Sequence, residues 1–345
     1  MMPIRSTLLS GALAGAVVAW SFAAQAADYT MKIALANNPV EFHHSWTPFV
    51  AFKNEVEKRS NGRIAVELYP GAQLGGVEST VNQVRQGVIE ATSASEGHFA
   101  TTYPPVQVFS IPYLFADREV AWAVIDGPFG KALQQDMIEK TGIRPLDWTE
   151  NGGFRHYSNN QRAVCAPEDM EGLKIRTMEI PLHMEIVKSL GASPTPIAWG
   201  ELYTALQTGV VDGQENAIPT FLIPKLEEVQ DHIVLDGHVY SVNTLLVNEA
   251  WYQSLPPELQ TVIDQATMIH KQVNRGMTVA RELEGLEYLR EAGVEICAPT
   301  LEAKQQFREL TQEPAVAWLK ENVDPKWVDE ILAATAEAEK QLGYN

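Results

Sequence analysis

The chain has 345 residues, 45% of them hydrophobic, and its 44 acidic residues against 26 basic ones give a formal net charge of −18 at pH 7. Such an acidic surface argues against binding to nucleic acid or to anionic membranes. The length is enough for two domains of ordinary size.

The N-terminus is predicted to be a secretory signal peptide. Arg5 gives a charged start, residues 8–20 are apolar, and Ala24-Gln25-Ala26 is a small-x-small site, so cleavage is expected after Ala26. The apolar stretch is too short for a transmembrane helix, and no membrane insertion is expected after cleavage. Losing Arg5 leaves 25 basic and 44 acidic residues, a net charge of −19. An anionic ligand would therefore need locally placed arginines.

The first 150 residues alternate between predicted strands and helices. Strands are predicted at residues 30–36, 63–69 and 89–93, and helices at 46–59 and 77–87. This alternation predicts a largely parallel α/β domain.

A chain crossing between domains is predicted at Asn151-Gly152-Gly153, followed by a strand at residues 154–157. Beyond it, a strand at 173–177, helices at 181–190 and 199–206, a returning segment at 236–247, a long helix at 259–289 and a short strand at 293–297 are predicted. The resulting division assigns residues 27–152 and 242–281 to domain I. Domain II then comprises residues 153–241 and 282–345.

Arg176 is the strongest candidate for a ligand contact. Leu173 and Ile175 are spaced as the buried face of a short strand, so Arg176 points the other way, near the carboxyl end of the strand. Ligands of open α/β sheets bind at that end, and an arginine can hold a carboxylate with two parallel hydrogen bonds. The alternative for Arg176 is a structural salt bridge.

Motifs of catalysis or metal binding are missing from the sequence. It has no Gly-x-Ser-x-Gly elbow, P-loop or HExxH motif. His43 and His44 are adjacent and do not share a helix face, and Glu215 alone could hold a cation only together with carbonyl groups. No cofactor and no metal are therefore expected. Export favours a disulfide between Cys165 and Cys297, with two separate buried thiols as the alternative.

Seven motifs in a fixed order carry a resemblance to a known family. The chain resembles the DctP-type solute-binding receptors of TRAP (tripartite ATP-independent periplasmic) transporters over essentially its whole mature length. The motifs are Leu68-Tyr69-Pro70 with Gln73-Leu74-Gly75, Ile111-Pro112-Tyr113-Leu114-Phe115, Asn151-Gly152-Gly153-Phe154-Arg155, Gly172-Leu173-Lys174-Ile175-Arg176, Gly191-Ala192-Ser193-Pro194-Thr195-Pro196, Leu206-Gln207-Thr208-Gly209 and Val211-Asp212-Gly213-Gln214-Glu215-Asn216.

The resemblance implies a periplasmic-binding-protein fold, in which two α/β domains close on a ligand in the cleft and a long helix crosses both. It implies a periplasmic receptor, not an enzyme, that captures a small organic anion (a carboxylate or a sulfonate) for sodium-coupled uptake. The expected partners are the small and large membrane subunits of the permease, and the receptor itself is expected to be a monomer.

The resemblance also implies roles for single residues. Arg176 would pair with the ligand carboxylate, Arg155 would be the second basic contact, Asn216 the amide contact and Trp199 the aromatic ring against the ligand. Ser95 stands where some members carry an acidic residue. Three of these have structural alternatives, namely an ion pair at the crossing for Arg155, core packing for Trp199 and a helix cap for Asn216.

The remaining candidates are less specific. The first domain is expected to contribute contacts from among His43, His44, Gln73 and Ser95, and His238 is a further ligand-binding candidate. Two other functions stay open. One is an exported enzyme acting on small carboxylic acids, with an acid–base pair drawn from His43, His44 and Glu215; the other is a ligand-binding accessory of a sensor kinase.

Overall fold

The computed structural model describes residues 26–344, so the predicted signal peptide lies outside the described residues except for Ala26. The strands are β1 Tyr29–Ala34, β2 Ile64–Tyr69, β3 Ala91–Ser95, β4 Ile143–Pro145, β5 Thr149–Asn159, β6 Lys174–Thr177, β7 Ser193–Pro196, β8 Gly213–Ala217, β9 His232–Asn248 and β10 Glu295–Cys297. The helices are α1 Thr47–Arg59, α2 Val77–Gln86, α3 Glu96–Phe99, α4 Arg118–Asp126, α5 Pro128–Thr141, α6 Pro181–Ser189, α7 Leu202–Gln207, α8 Ile218–Phe221, α9 Glu249–Ser254, α10 Pro257–Glu291, α11 Leu301–Asn322 and α12 Pro325–Leu342. Short 3₁₀ helices lie at Pro104–Ser110, Pro167–Met170, Trp199–Glu201 and Leu226–Glu228.

All ten strands belong to one sheet, with β2, β1, β3, β9, β5, β8, β6 and β7 side by side and with β4 and β10 also paired to β9. The first half of the sheet, β1 to β3, is parallel, and so is the second half, β6 to β8. The two long strands β5 and β9 are antiparallel to each other and connect the halves. The predicted parallel α/β arrangement therefore holds within each half, and the connection between halves is antiparallel.

Helix α10 crosses both halves. It packs against α1, which covers the first half, and against α8, which follows β8 in the second half. Phe49 and Phe52 of α1 fill the space above Met31 and Ile33 of β1, and all four side chains are buried. Burying each such side chain contributes about 1.5–3 kcal/mol. The predicted α/β class with a long helix across both halves is confirmed.

The C-terminal helices divide between the two halves. Helix α11 packs against α6 in the second half, whereas α12 packs against α4 and α5. Trp327, Val328 and Ile331 of α12 are buried in that contact. Residues 325–342 thus pack on helices that the predicted division assigns to domain I. The domain boundaries stay a prediction.

A disulfide joins Cys165, in the loop after β5, to Cys297 at the end of β10, with 5.7 Å between the two Cα atoms. No free cysteine is present among residues 26–344. None of the helices within these residues combines the length and the apolar character needed to cross a bilayer.

Candidate ligand-binding site

A cavity lies between the two halves, at the carboxyl ends of β1, β3 and β6. Its volume is about 640 Å³, including the part that opens to solvent. The residues around it come from both halves and from the connecting strands. They are Leu35, Ala36, Asn37, His44, Ser45, Val77, Ser93, Ala94, Ser95, His98, Asn151, Arg176, Met178, Trp199, Asn216, Thr220 and Asn243. Most of these residues are polar, whereas small-molecule sites are usually lined mainly by hydrophobic side chains.

Arg176 is the central feature of the cavity. The side chain of Ile175 in β6 is completely buried on one face of the sheet. Because neighbours on a strand point to opposite faces, the side chain of Arg176 is directed into the cavity. Its Nε donates a hydrogen bond to the backbone oxygen of Ile197, 2.8 Å away, which fixes the plane of the guanidinium group. The position predicted from the spacing of Leu173 and Ile175 is the one observed.

The charge of Arg176 has no direct partner. The side chain is 1% exposed, its Nη1 has no hydrogen-bond partner, and no carboxylate within residues 26–344 forms a salt bridge with it. Burial lowers the pKa of Arg176 to about 10, so the group remains protonated at neutral pH. Buried charges in proteins are normally paired. The unpaired cation therefore prepares the cavity for an anion.

Four other predicted contacts also line the cavity. The Oγ of Ser95 is 2.7 Å from Nδ1 of His98, and Nε1 of Trp199 donates to Oδ1 of Asn37 at 2.9 Å. Asn216 lies within β8, so the helix-cap alternative for this residue is wrong. His44 is the fourth.

The two histidines of the cavity are neutral at pH 7. Burial, together with the neighbouring His43, holds the pKa of His44 well below its usual value. For His98, burial first and then the positive charges of Arg176 and Arg155 lower the pKa to about 3. Both imidazoles can therefore donate and accept hydrogen bonds, but neither adds positive charge.

Arg155 does not line the cavity. Its Nη2 donates to Oε1 of Glu215 at 2.8 Å and to the Glu215 backbone oxygen at 2.7 Å, and its Nε also contacts that carboxylate. Its Nη1 donates to Oγ of Ser241 at 3.1 Å. The pair forms because β5 and β8 are neighbouring antiparallel strands. The structural alternative, an ion pair at the crossing, describes the observed position of Arg155.

Glu215 is enclosed by basic side chains, of which Arg155 and His238 are charged at pH 7. Besides Arg155, it faces Nδ1 of His183 and Nε2 of His238, each 3.4 Å away. These neighbours hold the pKa of Glu215 well below its ordinary value despite burial. Among residues 26–344 no cluster of three or more His, Cys, Asp or Glu side chains could hold a metal ion. The cation site proposed for Glu215 is replaced by this ion-pair network.

Three further candidates lie away from the cavity lining. Gln73 is exposed in the turn after β2. His43 faces away, since its Nε2 donates to the backbone oxygen of Pro219 at 3.1 Å. His238 is buried between Glu215 and Asp236, with 2.8 Å from its Nδ1 to Oδ2 of Asp236.

Several lining residues escaped the sequence reasoning. Asn37 follows β1, His98 follows Ser95 by three positions, Asn151 belongs to the motif read as a crossing, and Asn243 lies in β9. A signal existed for Asn37, because it comes directly after a predicted strand, where ligand contacts are expected. Asn243 had none, since its place depends on the pairing of β9 with β3 and β5.

The two walls of the cavity touch each other. The bond from Trp199 to Asn37 joins the second half to the first, and so does the contact of 3.6 Å between Oγ of Ser95 and Sδ of Met178. His43 bonds across to Pro219 in the same way. The halves are therefore closed around the cavity.

The profile of the family described as "Bacterial extracellular solute-binding protein, family 7" (DctP) matches residues 42–320. The chain belongs to this family. It is thus a DctP-type receptor of the TRAP class, as the seven motifs indicated. Family 7 receptors bind small organic acids and work with membrane subunits, which agrees with a cavity built around one buried arginine.

Individual relatives extend this comparison. A solute-binding protein of Verminephrobacter eiseniae is 38% identical over 274 residues, which cover 79% of this chain and 81% of the relative. The sugar acid binding protein of Advenella mimigardefordensis in complex with galactonate superposes with a TM-score of 0.85 at 30% identity, covering 90% of this chain and 98% of that one. A TRAP periplasmic solute-binding protein of Polaromonas bound to D-erythronate gives 0.82 at 33% identity, with 89% and 98% covered.

Proposed function

We propose that this chain is the periplasmic receptor of a TRAP transporter and that Arg176 binds the carboxylate of its small organic anion. Family membership supports the receptor role, and the ligands of the Advenella and Polaromonas relatives, galactonate and D-erythronate, are both small carboxylates. The observation that carries the proposal is the buried, unpaired guanidinium of Arg176 in the cavity.

Binding a carboxylate would complete the electrostatics of the cavity. The Nε of Arg176 already donates a hydrogen bond to the backbone oxygen of Ile197, so the two terminal nitrogens remain available for the ligand. A carboxylate accepts two parallel hydrogen bonds from a guanidinium group. Because closure excludes water, the attraction between the two charges becomes stronger than it would be at an open surface.

After capture, the closed receptor delivers its ligand to the small and large membrane subunits of the permease, driven by a sodium gradient. Export with a cleaved signal peptide is part of the same proposal. Uptake of the ligand into vesicles that contain the permease, with the receptor added outside, tests it. Uptake without a requirement for a sodium gradient would contradict the coupling.

An enzymatic function has less support. The acid–base pair considered from the sequence draws on His43, His44 and Glu215, and of these only His44 lines the cavity. Glu215 is held by Arg155 and two histidines and cannot reach a ligand there. The groups that the enzyme hypothesis needs are therefore not assembled around one site.

Calorimetry on Arg176→Ala tests the anchor. A panel of organic acids and sulfonates is first screened by thermal shift on the wild type, and the best ligand is then titrated into both proteins. Truncating one partner of a buried charge pair costs about 2–5 kcal/mol, roughly a 30-fold or greater loss of affinity. The free variant should be as stable as the wild type, because the lost charge was unpaired.

Arg85→Ala is the matched control. Arg85 is exposed on α2, so this substitution makes the same change in net charge outside the cavity. It should leave the affinity unaltered. Equal affinities of Arg176→Ala and the wild type would remove Arg176 from the binding site.

A further inference from the structure

We infer that the ligand is a monocarboxylate that carries hydroxyl groups, and that the wall formed by His44 and His98 rejects a second carboxylate. This inference rests on the proposed function, because it assumes that Arg176 takes the carboxylate. It adds the chemical class of the rest of the ligand and assigns a role in specificity to the two histidines.

The charges of the side chains around the cavity indicate that the ligand carries a single carboxylate. Arg176 is the one Lys or Arg side chain among the described residues that line it, and no Asp or Glu lines it at all. His44 and His98 are neutral at pH 7. One carboxylate therefore balances the cavity, and a second carboxylate would be buried without a cation. Burying an unpaired charge is strongly unfavourable.

The surroundings of His98 reinforce this selection. Its Nδ1 is bonded to Oγ of Ser95, and its Nε2 lies 4.0 Å from Oε1 of Glu78. A second carboxylate placed against His98 would approach the carboxylate of Glu78 with only a neutral ring between them. Like charges in such an arrangement repel each other. The wall formed by His44 and His98 therefore disfavours a second anion.

The same wall suits hydroxyl groups. Nδ1 of His44 is buried and has no hydrogen-bond partner, although the residue lines the cavity. The side chains of Ser93, Asn151, Asn216 and Asn243 add neutral donors and acceptors around the same space. A hydroxyl group both donates and accepts, so it satisfies an imidazole in either tautomer. An aliphatic acid without hydroxyls would leave the buried Nδ1 of His44 without a partner, which is costly.

Two matched pairs of ligands test the inference on the wild-type protein by calorimetry at pH 7. The pairs are D-erythronate with meso-tartrate and galactonate with galactarate. Within each pair the terminal CH₂OH group of the monoanion becomes a carboxylate, while the remaining stereocentres are kept. Butyrate serves as the four-carbon acid without hydroxyls.

The monoanion of at least one pair is expected to bind, with its dianion at least about 30-fold weaker, as for an unpaired buried charge. Butyrate is expected to bind at least tenfold more weakly than D-erythronate. A dianion that binds as tightly as its monoanion overturns the inference and leaves the proposed function standing, and so does binding restricted to acids without hydroxyls. Absence of binding by every carboxylate in the screen removes the proposed function and this inference together.

His98→Arg tests the wall directly. The added cation should improve the affinity for the dianion relative to its monoanion by at least tenfold. Gln86→Arg is the control, since Gln86 is exposed at the end of α2 and the substitution adds the same charge outside the cavity. An unchanged ratio in a folded His98→Arg protein would remove His98 from the selection.

Discussion

Replacing Glu215 with glutamine removes the negative charge that holds Arg155 in place. The carboxylate of Glu215 contacts Nε and Nη2 of Arg155 and lies 3.4 Å from ring nitrogens of His183 and His238. All four side chains are buried. The substitution keeps the size and shape of the side chain, so its effect reports the charge.

The expected loss of stability follows from the hydrogen bonds that Arg155 keeps in the Glu215→Gln variant. Its bonds to Ser241 and to the backbone oxygen of residue 215 survive, but its charge stays buried without a counter-ion at bonding distance. Breaking a buried pair by removing one partner costs about 3–5 kcal/mol. The glutamine oxygen can still accept one bond from Arg155, which places the expectation at the lower end, about 3 kcal/mol.

Urea unfolding followed by tryptophan fluorescence measures this loss. The double variant Arg155→Met with Glu215→Leu completes the test, because replacing both charges by apolar groups of similar volume is often neutral or stabilising. The double variant should therefore be more stable than Glu215→Gln. Ligand affinity should change little in any variant that folds, since neither residue lines the cavity.

The opposite pattern would refute the reasoning. If Glu215→Gln unfolded at the same urea concentration as the wild type but lost its ligand, Arg155 and Glu215 would belong to the binding site, as the family resemblance implied for Arg155. A control on an exposed acid, Glu201→Gln, changes the net charge equally and should alter neither property.

Three further predictions concern other parts of the molecule. Replacing Cys165 and Cys297 with serine opens a loop of 132 residues and should lower the free energy of unfolding by about 5 kcal/mol in the chain-entropy model, without weakening ligand binding; unchanged urea unfolding would contradict this. Asp236 raises the pKa of His238 to about 9 despite burial. A histidine whose pKa is higher in the folded than in the unfolded state stabilises the folded state at pH values below its unfolded pKa. This contribution is lost as the pH rises through 9. Unfolding at pH 7 and pH 10 should show a loss of roughly 2–3 kcal/mol that is absent in His238→Gln. Trp199→Phe removes the bond to Asn37 and keeps an aromatic ring, so calorimetry should show a two- to tenfold loss of affinity, about 0.5–1.5 kcal/mol, and a larger loss would mean that the indole N–H meets the ligand itself.

Local patterns predicted much of the fold. The helix from Pro257 to Glu291 was predicted at 259–289, because Pro256 and Pro257 mark its beginning. Position 176 was predicted as a ligand contact from the alternation of Leu173 and Ile175 and from its place near the carboxyl end of the strand. Such signals depend only on near neighbours in the sequence, and a single chain displays them directly.

Pairings between distant strands could not be predicted in this way. Arg155 and Glu215 are 60 residues apart, and their contact follows from the register of β5 against β8. Nothing near either residue specifies that register. The resemblance placed Arg155 near the ligand, and only the structure shows that a carboxylate already occupies its guanidinium group.

The glycines at the crossing illustrate the same limit. Gly152 and Gly153 were predicted to mark a chain crossing between the domains, and both lie within β5, with φ values of 92° and 94°, where the register against β9 shifts. A Cβ on Gly152 would approach Oγ1 of Thr220 to 2.6 Å. Glycine is therefore required by the shape of the bulge and by close packing.

The closed arrangement of the halves carries a condition for ligand-driven closure. With the walls in contact, Arg176 is buried and Nη1 has no partner, so the closed form without an anion contains an unfavourable charge. A ligand can shift the equilibrium only by binding the closed form better, and moving it from 1:99 to 99:1 takes about 5.5 kcal/mol. A buried ion pair accounts for about 2–5 kcal/mol of that difference. The remainder must come from contacts that form only when both walls meet around the ligand. Such contacts are available from His44 and Asn37 of the first half, across the cavity from Arg176 and Trp199 of the second half.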